Sequence, residues 1–144
     1  MRLYLDTSAL LRAEVERDLG LRETIGAAAQ LFACRLLHVE TARAMHRLKR
    51  ERPKAHVAIR AAEQSIAAAL AACLVAQFDE AVLARAALDF PIEPVRSLDA
   101  IHLAAALWWR EKLGVGSGDV LAFASSDDRM RANAAALGFP LIPA

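Results

Sequence analysis

The chain has 144 residues, 56% of them hydrophobic, and a formal net charge of +1. That length suits a single domain over residues 1–144 with a real core. The near-neutral balance excludes the global basic field that would by itself announce a nucleic-acid binder, although a local patch or a metal ion can still supply positive charge. No apolar run approaches the ~18 uninterrupted residues of a membrane span. Strand-like residues interrupted by Asp6 do not make a signal peptide. Cys34 and Cys73 stand far apart without a C-x-x-C spacing, so they read as small buried thiols suited to a reducing cytoplasm rather than as zinc ligands. The expectation is a soluble, cytoplasmic protein without a membrane partner.

The opening stretch, Arg2-Leu3-Tyr4-Leu5, reads as a buried strand that stops at Asp6. A helix follows around Ala9–Glu16, with Ser8 the expected N-cap and Asp6 in the turn between. Residues 18–30 are mixed, with Gly20 and Gly26 marking breaks. Leu31–Cys34 suggests a second strand, and Leu36–Glu51 a helix whose stripe is Leu37, Thr41, Ala44 and Leu48. Glu40 lies beside that stripe, where an acid is costly unless a positive group meets it, and Arg43 at i+3 is available. Arg43, His46, Arg47, Lys49, Arg50, Arg52 and Lys54 form the one local basic cluster. It reads as a solvated face or as a surface for RNA phosphates or an acidic partner.

Pro53 breaks the chain before a helix over roughly Lys54–Leu70, and Cys73–Phe78 reads as a third strand. Asp79 is expected to cap a helix running to Leu88, after which Pro91 and Pro94 enforce a loop. Ser97 to Trp109 is a nearly continuous apolar helix, capped by Ser97, with Asp99 in its first turn. His102, one turn on, reads as a packing or hydrogen-bonding residue. Gly114, Gly116 and Gly118 predict a turn. Asp119–Ala124 is a fourth strand, and Ser125-Ser126-Asp127-Asp128 leads into a helix closed by Gly138. Phe139–Ile142 suggests a short last strand.

Strands alternating with helices argue for a parallel sheet covered on both faces. In such a sheet Asp6 and Asp127 share the carboxyl edge, Glu40 lies early in the helix after the second strand, and Asp99 joins them if its loop returns there. Each acid has an ordinary explanation as a turn or cap residue. Four converging carboxylates do not, because they repel one another unless a cation neutralises them. Oxygen-only ligands favour Mg²⁺ or Mn²⁺, and a carboxylate-held metal suits phosphodiester hydrolysis.

The segments Leu5-Asp6-Thr7-Ser8-Ala9-Leu10, Leu37-His38-Val39-Glu40, Leu98-Asp99-Ala100-Ile101-His102-Leu103-Ala104 and Ser125-Ser126-Asp127 resemble the four blocks of PIN-domain ribonucleases. Within that family, length and ending are most similar to the VapC-type toxins of toxin–antitoxin pairs. The resemblance runs from residue 2 to about residue 142, and its first and third blocks are the most specific. The last block departs from the family's usual Thr-x-Asp, and Asp128 is an adjacent candidate for the fourth acid.

The resemblance implies a three-layer α/β/α sandwich with a central, mainly parallel sheet of four to five strands. It implies that Asp6, Glu40, Asp99 and Asp127 hold Mg²⁺ or Mn²⁺ and cut RNA, such as tRNA or mRNA. Thr7 and Ser125 would orient the acids. A homodimer and a cognate antitoxin are implied too, with Arg43, Arg47 and Arg50 meeting RNA or antitoxin. Alternatives are a housekeeping PIN nuclease without an antitoxin and a non-catalytic module that binds RNA or protein. A haloacid-dehalogenase-type phosphohydrolase would need a second Asp two positions after the first, where Ser8 stands.

Overall fold

The computed structural model describes residues 1–114 and 120–143. Five strands, β1 (Arg2–Leu5), β2 (Gln30–Cys34), β3 (Cys73–Ala76), β4 (Leu121–Ala124) and β5 (Leu141–Ile142), form one sheet in the order β3-β2-β1-β4-β5. Every pairing is parallel. The α/β class with a central parallel sheet is therefore as the sequence predicts.

Parallel neighbours need crossovers, and seven α-helices among the described residues supply the covering layers. These are α1 (Thr7–Glu14), α2 (Leu19–Gly26), α3 (Leu36–Glu51), α4 (His56–Ala72), α5 (Glu80–Ala86), α6 (Ser97–Leu113) and α7 (Asp128–Ala136). Alternation along the strands divides the core into two. Tyr4, Phe32, Cys34, Leu121 and Phe123 pack with Val82 of α5, Leu103 of α6 and Met130 of α7. Leu3, Leu5, Leu31, Ala33 and Ala122 pack with Leu10 of α1, Leu21 of α2, Leu37 of α3 and Ile59 of α4. Among the described residues, no helix is long and apolar enough to cross a membrane.

Several boundaries differ from the sequence reading. Residues 19–26 are helical, not irregular: Asp18 accepts the Leu21 amide at 3.0 Å and caps the turn, while Leu21 and Ile25, one turn apart, are buried. Gly20 and Gly26 lie at the ends of that helix, where their low propensity costs least. The N-cap of α1 is Asp6, not Ser8, because the Asp6 carboxylate takes the Thr7 amide. Ser97 is the first residue of α6 rather than its cap, and Arg96 precedes it without a side-chain cap bond. Pro53–Ala55 forms a 3₁₀ turn before α4. The fourth strand begins at Leu121; Gly116, Gly118 and Asp119 lie outside the described residues.

Two features place the acids. The chain builds β1, β2 and β3 outward in one direction, then returns to set β4 against the other side of β1. The crevice between β1 and β4 at their carboxyl ends is thus the topological switch point, where open α/β sheets bind ligands. The loop before α6 is tied to α7 by the buried Asn133, whose Nδ2 donates to Ile92 O at 2.9 Å and whose Oδ1 accepts the Ile92 amide at 3.0 Å. Glu93 braces the same loop by accepting the Phe90 and Val95 amides at 2.9 and 2.6 Å.

Candidate active site at the carboxyl edge of the sheet

Asp6 is the best-held of the acids. It leaves β1 in an extended conformation, is 5% exposed, and its amide donates to Ala124 O of β4 at 3.0 Å. Its Oδ1 accepts the Thr7 amide at 2.7 Å; its Oδ2 accepts the Ser8 and Ser125 hydroxyls at 2.7 and 2.8 Å. The two hydroxyls lie 3.1 Å apart and each also accepts one backbone amide: Ser126 N donates to Ser8 Oγ at 2.9 Å, and Asp127 N to Ser125 Oγ at 3.1 Å. The turns after β1 and β4 are therefore one hydrogen-bonded unit. Ser125 thus bonds Asp6, and Ser8, read from sequence as a helix cap, does so equally.

Glu40, on the second turn of α3, faces the same edge. Its Oε2 accepts from the Thr7 hydroxyl and from His102 Nε2, the latter at 2.8 Å. The positive partner expected for this acid is thus His102 from α6 rather than Arg43. Spacing along α3 pointed to a local pair, whereas the partner comes from a helix 62 positions away. Thr7 orients Glu40, while Asp6 is met by the Thr7 amide.

His102 is 1% exposed and lies under both acids, with Nε2 also 3.9 Å from Asp6 Oδ1. Its Nδ1 lies 3.1 Å from Tyr4 Oη and 3.4 Å from Cys34 Sγ. Burial alone would depress the imidazole, but the hydrogen bonds to Cys34 and Glu40 and the nearby Cys34 and Asp6 charges outweigh it and hold His102 well above its ordinary value. Burial would raise Glu40; its bonds to His102 and Thr7 prevail and lower it. Burial raises Cys34 as well, and the His102 contact reverses the direction. Cys73 has no such neighbour, and burial pushes its thiol up to about 11, the behaviour of an inert packed cysteine.

Asp99 sits in the first turn of α6, half-buried. Burial raises its carboxyl first, and the charges of Asp127 and Asp6 raise it further, partly offset by Arg96 and His102. Asp99 therefore lies close enough to Asp127 and Asp6 to feel their charges. Asp127 is the exposed N-cap of α7, with Oδ1 accepting the Arg129 and Met130 amides at 2.9 and 3.0 Å. Asp128 is the exposed first residue of that helix. Of the two, Asp127 is the acid bound into the turn that also holds Asp6.

Among the described residues, no group of three or more His, Cys, Asp or Glu side chains is already drawn together as a metal cage. The donors are nevertheless chemically suited to one class of ion. They are carboxylate oxygens, which favour Mg²⁺ or Mn²⁺, and Mg²⁺ commonly binds through one or two carboxylates while keeping several waters. Arg43, Arg47 and Arg50 are exposed along α3, with Arg47 Nε 4.0 Å from Glu51 Oε1. At 1.5 Å per residue, Arg50 lies about 15 Å along the helix from Glu40, so this cluster extends away from the acids.

Sequence reasoning missed Tyr4, Cys34 and Arg96 as neighbours of the site. Tyr4 and Cys34 carry ordinary strand signals; Arg96 stands at the N-cap of α6, three residues before Asp99, a local spacing that sequence could have offered. A comparison with models of known protein families found no match, and a comparison with curated proteins found none.

Proposed function

We propose that this chain is a Mg²⁺- or Mn²⁺-dependent endoribonuclease of the PIN-domain type, acting as the toxin of a VapBC-like toxin–antitoxin pair. The observation that carries the reading is the hydrogen-bonded cradle around Asp6, with Glu40, Asp99 and Asp127 on the same edge at the switch point. A cation bound there would neutralise the crowded acids and the scissile phosphate and lower the pKa of a bound water.

The chain's own residues have distinct parts in this reading. Asp6, Glu40, Asp99 and Asp127 are the ligands. Ser8 and Ser125 keep Asp6 in one orientation, so little reorganisation is needed when the cation arrives. Thr7 restrains Glu40 in the same way. The raised carboxyl of Asp99 marks the acid with most to gain from a positive charge. The exposed arginines of α3 are offered to RNA phosphates or to an acidic antitoxin segment. A homodimer and a cytoplasmic setting belong to the same proposal.

The test is cleavage of a mixed RNA pool that includes tRNA, with Mg²⁺, Mn²⁺ or EDTA, by wild-type protein and by Asp6→Asn. Metal-dependent cutting that disappears in the variant is expected. A folded protein that binds RNA equally well before and after the substitution, and cuts none, would instead favour a non-catalytic module. Co-purification with the product of an adjacent gene separates the toxin from a free-standing nuclease.

A further inference from the structure

Glu40 is the acid least able to hold itself. It stands on a helix face, 24% exposed, and has three side-chain torsions to restrain. Both of its hydrogen bonds, from Thr7 Oγ1 and His102 Nε2, end on the same oxygen, Oε2. Because a carboxylate only accepts, Nε2 must be the donor. That nitrogen is consequently committed to Glu40 and is not a ligand lone pair.

His102 is itself fixed from below. Its Nδ1 meets Tyr4 Oη at 3.1 Å, the two rings lie edge-to-face at 82°, and Tyr4 stacks on Phe123 at 5.2 Å between ring centres. Tyr4 belongs to β1 and Phe123 to β4, the pair of strands that bound the switch point. A rigid series thus runs from the centre of the sheet through Tyr4 and His102 to Glu40. It links α6 to α3 through Tyr4 and His102, which are 0% and 1% exposed.

We propose that His102 is a positioning residue that anchors Glu40 through Oε2 and so reserves Oε1 for a divalent cation, with Tyr4 holding the imidazole in place. The inference rests on the metal-dependent reading above and adds the residue that prepares one of its ligands. Orientation of metal ligands by outer hydrogen bonds commonly matters about 10–100-fold in metal affinity.

The test measures Mn²⁺ affinity calorimetrically on the full chain, with thermal unfolding of each variant alongside. His102→Leu removes the donor and is expected to weaken Mn²⁺ at least about tenfold. His102→Gln carries an amide that can still donate to Glu40, and it is expected to recover most of that loss. A merely structural role would lower the melting temperature in both variants without separating their affinities. Tyr4→Phe deletes only the hydroxyl under the ring and maintains the comparison if His102→Leu does not fold; a several-fold loss is expected.

A folded His102→Leu, or Tyr4→Phe in its place, with wild-type Mn²⁺ affinity overturns the positioning role while leaving the metal site standing. His102→Gln as weak as His102→Leu overturns it too. Wild-type protein that takes up no Mn²⁺ overturns the metal reading itself, and this inference with it.

Discussion

Ser125→Ala should destabilise the fold, whereas Ser126→Ala, an adjacent substitution of the same chemistry, should not. Ser125 is fully buried; its hydroxyl donates to Asp6 Oδ2 at 2.8 Å and accepts the Asp127 amide at 3.1 Å. A hydrogen bond to a charged group contributes about 1.5–3 kcal/mol, and an orphaned buried donor adds about 1–3 kcal/mol. Asp127 is exposed, so water can relieve part of the second cost. The expected loss for Ser125→Ala is therefore about 3 kcal/mol. For a domain near this size that corresponds to a fall of about 6–12 °C in melting temperature.

Ser126 Oγ, in contrast, is buried with no hydrogen-bond partner among the described residues. Removing it deletes a desolvated hydroxyl, so Ser126→Ala should be neutral or stabilising by up to about 1 kcal/mol. Ser125→Thr retains a hydroxyl and should recover much of the loss. Urea unfolding of the three variants in EDTA at one pH measures all of this. The reasoning is refuted by a Ser125→Ala protein within about 0.5 kcal/mol of wild type, or by a Ser126→Ala protein destabilised by more than about 1 kcal/mol.

Asp127→Ala should cost about 0.5–2 kcal/mol through its two capping bonds and also abolish metal-dependent cleavage, whereas Asp128→Ala should do neither; paired unfolding and cleavage assays decide it. The His102–Glu40 pair should also shape stability against pH in EDTA. His102 is raised above 6.5, so its contribution is complete below that pH and lost as pH climbs through the folded value. Glu40 is lowered from 4.5, so its contribution is complete above that pH and lost as pH falls through the folded value. The stability difference between wild type and His102→Gln should therefore be greatest between 4.5 and 6.5 and shrink on the alkaline side. A difference that is flat across pH, followed by denaturant titrations, contradicts the pairing.

Much of the fold was legible because the signals were local. Helix α3 has the predicted bounds of Leu36–Glu51, and Asp79 caps α5 by accepting the Val82 amide at 2.9 Å. The alternation of strands with helices let the parallel sheet be read before its order. Helix α2 was missed because two glycines outweighed a short stripe of Leu21 and Ile25, and tertiary burial reversed that balance. The acids of the candidate site were visible as carboxylates that end strands or begin helices. Their supports were not. Ser8 looked like a cap until β4 brought Ser125 within 3.1 Å, and His102 acquired a partner only when α6 packed over β2 and brought the imidazole to Glu40. Such contacts join residues 62 to 119 positions apart, beyond anything periodicity reports.

Under the proposed function, Asp6, Glu40, Asp99 and Asp127 together hold a divalent cation. Crystals soaked in Mn²⁺ and measured for anomalous scattering test it most directly. The expected result is a peak at the carboxyl edge between β1 and β4, with at least Asp6 and Asp99 oxygens against the ion and water completing its shell. A well-ordered site with no peak there, or with Mn²⁺ only at unrelated surface acids, would contradict it.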